Sequence, residues 1–487
     1  MNTLLKKTAN GVTWTSLSSI VRNVVSLIQI TVLARILTVS DFGIIAIANV
    51  FLAFTQIFVD LGISVGILHK QNISKNEYSS LYWLNIFTGI LLTMILIIIS
   101  PLISSLYKEQ SLSNIIMLLS LNIFFSSIGS QHRIIQSKEM RFKSISLVDI
   151  TVSIISLVIA VMLALDGFGV YSLVYASLSS AFLSSIIYLF IGLKVDKNIK
   201  MHFNLKETYP FLKIGSFQLG SAVMDYFSRE IDIIFIGSAF GKETVGLYSL
   251  CKKIVMIIYA TVNPIFTNVI TPLLAKLQSG KEYLQNIYLK IVESLSIINF
   301  PIYILVSIFS FGIITILYGE QYNNGSFILS ILAINYGLLS ASNPIGSLQV
   351  ALGRTDIGFY WTIYRIISTS IIVYIGSLFN VEVLVTFLLV LTLINTIIMW
   401  RMQIFVMIKI SAKHYFEKIF IPFLISLSIA IPMYLIFKNT TSLISIIIIS
   451  SAYLISYSVI VYLSLKNAYI VKVASDIFNT FRHKFFS

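Results

Sequence analysis

Fourteen apolar runs, separated by short polar connections, constrain this chain more than any other feature of its sequence. A helix needs about 20 apolar residues to span roughly 30 Å of hydrocarbon. The runs lie near 12–37, 42–68, 81–106, 114–135, 144–165, 170–193, 211–237, 244–270, 291–317, 327–352, 357–378, 381–408, 418–437 and 441–464. They are unbroken and rich in Ile, Leu and Ser, whereas strands of a membrane barrel alternate in polarity over about 10 residues. The expected fold class is an all-α polytopic membrane protein with fourteen transmembrane helices. Composition agrees, since 57% of the 487 residues are hydrophobic and 11% charged, where a soluble domain carries about 25% charged residues.

The net charge of +14 reads as topology and not as nucleic-acid binding. Twenty-five of the 34 Lys and Arg residues fall on one side of the alternating spans, Lys108, Lys242 and Lys438 on the other, and six inside spans. This asymmetry puts both termini in the cytoplasm. The first run is too long for the core of a signal peptide and is expected to stay as a helix.

Several chemistries drop out. Cys251 is the sole cysteine, which excludes disulfide frameworks and thiolate metal clusters. His69, His132, His202, His414 and His483 are scattered, without metal-ligand spacing, and read as residues of loops or interfaces. No cofactor is implied. The connections are too short for an external catalytic domain, which weighs against a membrane glycan polymerase or ligase; the expectation is a non-enzyme. The longest polar connection, from Lys194 to Tyr209, divides an N-terminal lobe of six spans (1–200) from a C-terminal lobe of six (201–410). Two further spans (411–464) follow, and a cytoplasmic tail (465–487) whose apolar residues recur in four-residue steps reads as an amphipathic surface helix.

An internal repeat supports the two lobes. At an offset of 203 residues the turn Leu37-Thr-Val-Ser-Asp-Phe-Gly43 falls on Phe240-Gly-Lys-Glu-Thr-Val-Gly246. The polar stripe of the first span, Thr15, Ser18, Arg22, Ser26 and Gln29, lies on one helical face and maps onto Gln218, Ser221, Asp225, Arg229 and Asp232. In the second span Asn49, Gln56 and Asp60 map onto Lys252, Tyr259 and Asn263. Six intervening spans give both copies the same orientation, as in transporters whose halves rock about a midplane site. A looser match at offset 216 sets Ser146, Asp149 and Ser153 against Thr362, Arg365 and Thr369.

A charge near the bilayer centre costs about 2.5–3.5 kcal/mol on insertion scales, so a buried ionisable group needs a partner or a wet cavity. Arg22, Arg229, Lys252 and Arg365 are candidates for attracting an anion, and Gln29 and Gln56 join them as a candidate substrate pathway. The alternative pairs Arg229 with Asp225 or Asp232 on its own helix and Arg22 with an acid on a neighbour. Lys252, on the stripe, is favoured over Lys253, which points about 100° away. Asp60, Asp149, Asp225 and Asp232 are candidates for proton or cation coupling or for charge pairing, and the sequence leaves both open.

The segments Leu33-Ala-Arg-Ile-Leu-Thr-Val-Ser-Asp-Phe-Gly43, Asp60-Leu-Gly62 and Gln136-Ser-Lys-Glu-Met-Arg-Phe142 resemble those of Wzx-type polysaccharide exporters. These are lipid-linked oligosaccharide flippases of the multidrug/oligosaccharidyl-lipid/polysaccharide (MOP) superfamily, and the likeness is to the branch with colanic and teichuronic acid exporters. The resemblance implies a V of two lobes around a central cavity. It also implies flipping of an undecaprenyl-diphosphate-linked oligosaccharide to the outer leaflet, for an O-antigen, capsule or exopolysaccharide, among membrane lipids and alongside a glycan polymerase and chain-length proteins. The runner-up is a cation-coupled multidrug exporter of the same superfamily.

Overall fold

The computed structural model describes residues 2–70, 72–196, 199–278 and 280–465, together with 468 and 471. Apart from Ala468 and Val471, the surface helix expected over 466–487 lies outside the described residues, as does the side chain of Gln218. Among the described residues there are seventeen α-helices and no strand: α1 (Asn2–Ala34), α2 (Val39–Val59), α3 (Ile63–His69), α4 (Lys75–Leu106), α5 (Gln110–Lys138), α6 (Phe142–Leu165), α7 (Tyr171–Ile191), α8 (Leu205–Lys276), α9 (Lys281–Ile308), α10 (Ser310–Leu317), α11 (Ser326–Ser342), α12 (Pro344–Ala351), α13 (Thr355–Ser377), α14 (Val381–Met399), α15 (Phe405–Ile408), α16 (Ala412–Phe437) and α17 (Leu443–Ser464). The protein is an all-α, multi-pass membrane protein.

Helix starts follow side-chain chemistry. Thr38 and Asp41 close a capping box on α2, and Ser74 and Glu77 close one on α4. Inside the helices, hydroxyls return to carbonyls one turn back, as Thr55 does to Phe51 (2.8 Å) and Ser296 to Val292 (2.8 Å). Each such bond satisfies a donor that hydrocarbon would leave unmet, which is why Ser and Thr recur within the apolar runs.

Among the described residues, twelve segments are long and apolar enough to cross a membrane. One of them, Leu219–Pro264, contains Gly241, whose φ of 80° and ψ of 179° interrupt α8. Helix α13 is not among the twelve. Several expected spans are also broken. The run at 42–68 divides into α2 and α3 because Leu61 (φ 46°) and Gly62 (φ 73°) are left-handed, and hydropathy does not register a two-residue turn made of Leu and Gly. The run at 291–317 divides into α9 and α10, that at 327–352 into α11 and α12, where Pro344 starts the second piece, and that at 381–408 into α14 and α15 across a π-helical turn.

Contacts divide the chain into two compact units, Met1–Ser249 and Leu250–Ser487. In the first, α4 and α5 approach closely where Gly89 faces Ser127, and Asn85 Nδ2 donates to Ser130 Oγ (2.6 Å). Small residues and interhelical hydrogen bonds do this work in bilayers, at about 0.6 to 2 kcal/mol per bond. Ser146 Oγ ties α6 to the Trp14 carbonyl of α1 at 2.9 Å. In the second unit α9 is the core element. Its Tyr288, Leu295 and Phe300 are buried in one apolar cluster with residues of α11 and α16. Buried Glu293 of α9 is paired with Lys418 of α16 at 2.8 Å.

Candidate functional site

The polar face of α1 meets α6 and α5 at three charges. Arg22 Nη1 lies 3.7 Å from Asp149 Oδ2, and Arg133 Nη2 lies 2.9 Å from the same oxygen. The Asp149 side chain is 13% exposed, whereas Arg22 and Arg133 are 44% and 49% exposed. One covered carboxylate thus sits between two open guanidiniums, leaving a local charge of +1 and a surplus of N–H donors. The buried Tyr188 of α7 lies close to both Asp149 and Arg133. Arg22 therefore pairs with an acid on a neighbouring helix. Arg133 is an addition, since its position near the end of the fourth run assigns it to the cytoplasmic connection when charges are counted from sequence.

Farther along α1 the same face opens on a cavity of about 500 Å³ within the first unit. Gln29 of α1 and Asn49 and Gln56 of α2, all on the expected stripes, line it. Sequence reasoning missed the opposite wall: Asn122 and Ser126 of α5, Ser156 of α6, and three serines of α7. The signal was the helical spacing of Ser177, Ser180 and Ser184. Gln56 Nε2 donates to Ser126 Oγ at 2.9 Å, and Asn122 Nδ2 to Ser177 Oγ at 3.0 Å. None of the fourteen lining residues is ionisable.

The remaining candidates lie elsewhere. Asp60 caps the break after α2, accepting from the backbone N–H of Ser64 (3.1 Å) and from its hydroxyl. Asp225 pairs with Arg229 one turn on at 2.6 Å, with both side chains exposed. Asp232 is buried, accepting from Tyr248 Oη and from the backbone N–H of Ile233 (2.9 Å). In the second unit Lys252 is buried and Lys253 exposed. Arg365 is half-buried on α13. All four candidate aspartates thus occupy pairing or capping positions. His132, read as a loop or interface residue, lies inside a helix. It is 2% exposed within α5, beside the Tyr82 ring at 5.5 Å and against Gly192.

Two carboxylates outside the spans are held below the usual carboxylate range. Glu109 is lowered chiefly by the hydrogen bond from Lys242 (2.6 Å) and then by that from Ser111. Glu207 is lowered by the hydrogen bond from Ser80 (2.6 Å) and then by His202 (3.1 Å). That second set belongs to a seam binding the connection before α8 to α4, in which Lys200 N–H donates to Ser79 Oγ (2.8 Å) and Trp83 Nε1 donates to the Lys200 carbonyl (3.0 Å).

Fold and site together define a polytopic membrane protein with a polar, partly cationic interior. The family model described as polysaccharide biosynthesis protein matches residues 32–326, and the chain belongs to that family. It is 30% identical to the teichuronic acid biosynthesis protein TuaB of Bacillus subtilis (strain 168), over 88% of this chain and 89% of that one. It is 27% identical to the lipopolysaccharide biosynthesis protein WzxC of Escherichia coli (strain K12), over 88% of each. Among solved structures, the lipid II flippase MurJ in an inward closed conformation superimposes with a TM-score of 0.75 at 15% identity, over 92% of this chain and 99% of that one. An inward-facing multidrug resistance MATE family transporter of the MOP superfamily gives 0.59 at 12% identity, over 86% and 96%. These two share the fold. The resemblance read from the segments around Gly43, Asp60 and Gln136 is thereby established.

Proposed function

We infer that this protein moves an undecaprenyl-diphosphate-linked oligosaccharide from the cytoplasmic to the outer leaflet for export of a cell-surface polysaccharide, without making or breaking bonds in it. The observation that carries the reading is the cluster of Arg22 and Arg133 on Asp149, two open guanidiniums that suit a diphosphate in two-pronged contact. Family membership supports it, as do relatives named for polysaccharide biosynthesis. A glycan crosses hydrocarbon only where its hydroxyls find replacement partners for water. The amide and hydroxyl lining of the cavity supplies them while the prenyl tail stays in lipid.

On this reading fourteen spans form two six-helix lobes, 1–200 and 201–410, with 411–464 added, both termini are cytoplasmic, and the halves alternate in access. Arg229, Lys252 and Arg365 extend the cationic path. A proton or sodium gradient enters through one of Asp60, Asp149, Asp225 and Asp232, and a glycan polymerase with its chain-length protein takes the cargo outside. The drug-export alternative draws on the fold shared with the MATE transporter alone.

The test is depletion in the native host, with lipid-linked glycan measured by leaflet. Accumulation on the cytoplasmic side that wild type relieves and Arg22→Gln does not is the expected result. An unchanged glycolipid pool with raised drug susceptibility would replace the reading with drug export.

A further inference from the structure

We propose that the neutral cavity bounded by α1, α2, α5, α6 and α7 seats uncharged sugar residues of the cargo, ahead of the diphosphate held at Arg22 and Arg133. The proposal rests on the flippase reading and adds to it where the saccharide goes and which saccharide chemistry is taken. The cavity, about 500 Å³, falls within the range of about 300–1,000 Å³ usual for small-molecule sites.

Its chemistry is selective. A carboxylate or phosphate would find no countercharge there, and a drug cation or coupling ion would find no carboxylate among the lining residues. Amides and hydroxyls each donate and accept, which matches sugar hydroxyls that do both. Asn122 shows the site unsaturated. It is 7% exposed, its Nδ2 is committed to Ser177, and its Oδ1 has no partner in the protein. A buried acceptor left unmet is costly, and a cargo hydroxyl donating to it removes that cost.

Spacing completes the argument. Gln29 lies seven residues beyond Arg22 on the same face of α1, about 10 Å along the axis. A diphosphate at Arg22 and the sugars attached to it fit that separation, with the sugars on the far side of the cluster from the N-terminus of α1.

The experiment is photo-crosslinking of the full-length protein in its native host. A diazirine-bearing residue replaces Ser180 in the cavity in one strain and Ser153, one turn from Asp149 on α6, in another, and adducts are identified by mass. We expect saccharide-bearing adducts at position 180, reduced about tenfold by Asn122→Leu or by the milder Gln56→Leu, a factor in keeping with one or two hydrogen bonds. Glycolipid adducts at 153 with none at 180, prenyl-chain adducts at 180, or saccharide adducts at 180 that neither variant reduces, would overturn the sugar seat and leave flipping intact. Glycolipid adducts at neither position would overturn both.

Discussion

Gly43 and Gly246 pack against each other reciprocally. A Cβ on Gly43 would overlap the carbonyl of Lys242, and one on Gly246 would overlap the carbonyl of Val39. Val39 and Lys242 are themselves 203 residues apart, as the two glycines are, so the contact is the same seen from either side. The offset that aligns the two turns in sequence is thus also a local two-fold in space.

Gly43→Val and Gly246→Val are each expected to destabilise the protein by about 1–3 kcal/mol or more, the cost of forcing atoms into a packed site. Gly220→Ala, where nothing lies within 4 Å, is the control. It should be neutral or stabilising by up to about 1 kcal/mol, because alanine is the better helix former. Thermal unfolding of the purified protein in detergent separates the two outcomes.

Asp149→Asn should tighten binding of inorganic pyrophosphate, since it frees two guanidiniums from their shared partner. A charge pair at about 4 Å in a watery setting is worth about 1 kcal/mol, or roughly fivefold in affinity. Arg22→Gln and Arg133→Gln should weaken it by a similar factor. Calorimetric titration in nanodiscs measures all three, and an unchanged affinity in Asp149→Asn would remove the carboxylate from control of anion binding.

The Lys242–Glu109 bridge makes stability depend on pH in one direction. Because Glu109 titrates below its ordinary range, its contribution is complete above the unfolded carboxylate value and disappears as pH falls through the lowered one. Glu109→Gln should therefore unfold earlier than wild type at pH 7, by the 0.2–1 kcal/mol or so typical of such pairs. The two melting curves should converge on acidification below about pH 4, near the carboxylate range.

Trypsin cleavage after Lys200 reports the seam between the connection before α8 and α4. Both backbone groups of Lys200 are engaged, by Ser79 and by Trp83. Trp83→Phe combined with Ser79→Ala should speed cleavage by up to about thirtyfold, as expected when two bonds of about 1 kcal/mol each are removed. Glu207→Gln should also speed it, by weakening the contact with Ser80.

What the sequence revealed depended on whether the signal was hydropathic or geometric. The helices were legible because apolar runs are read directly, and the equivalence of Gly43 and Gly246 because a repeat preserves spacing, whereas their contact emerges only from the packing. The turn at Leu61 and Gly62 was not, since neither residue lowers hydropathy enough to mark a stop. Gln29 and Gln56 stood out as polar residues in apolar helices, whereas Ser177, Ser180 and Ser184 did not, because serine is common throughout these spans and bonds its own backbone. Arg133 was hidden by its place near a helix end, and its partner Asp149 is reached only through the packing of α5 against α6.

On the proposed reading, Asp149 is also a built-in competitor. Any anion arriving at Arg22 and Arg133 must share them with a carboxylate that never leaves, which caps the lifetime of the bound state. A receptor would be impaired by such a rival. A carrier is served by it, because each departure returns the arginines to a partner already in place and lets the next cycle begin from a paired state.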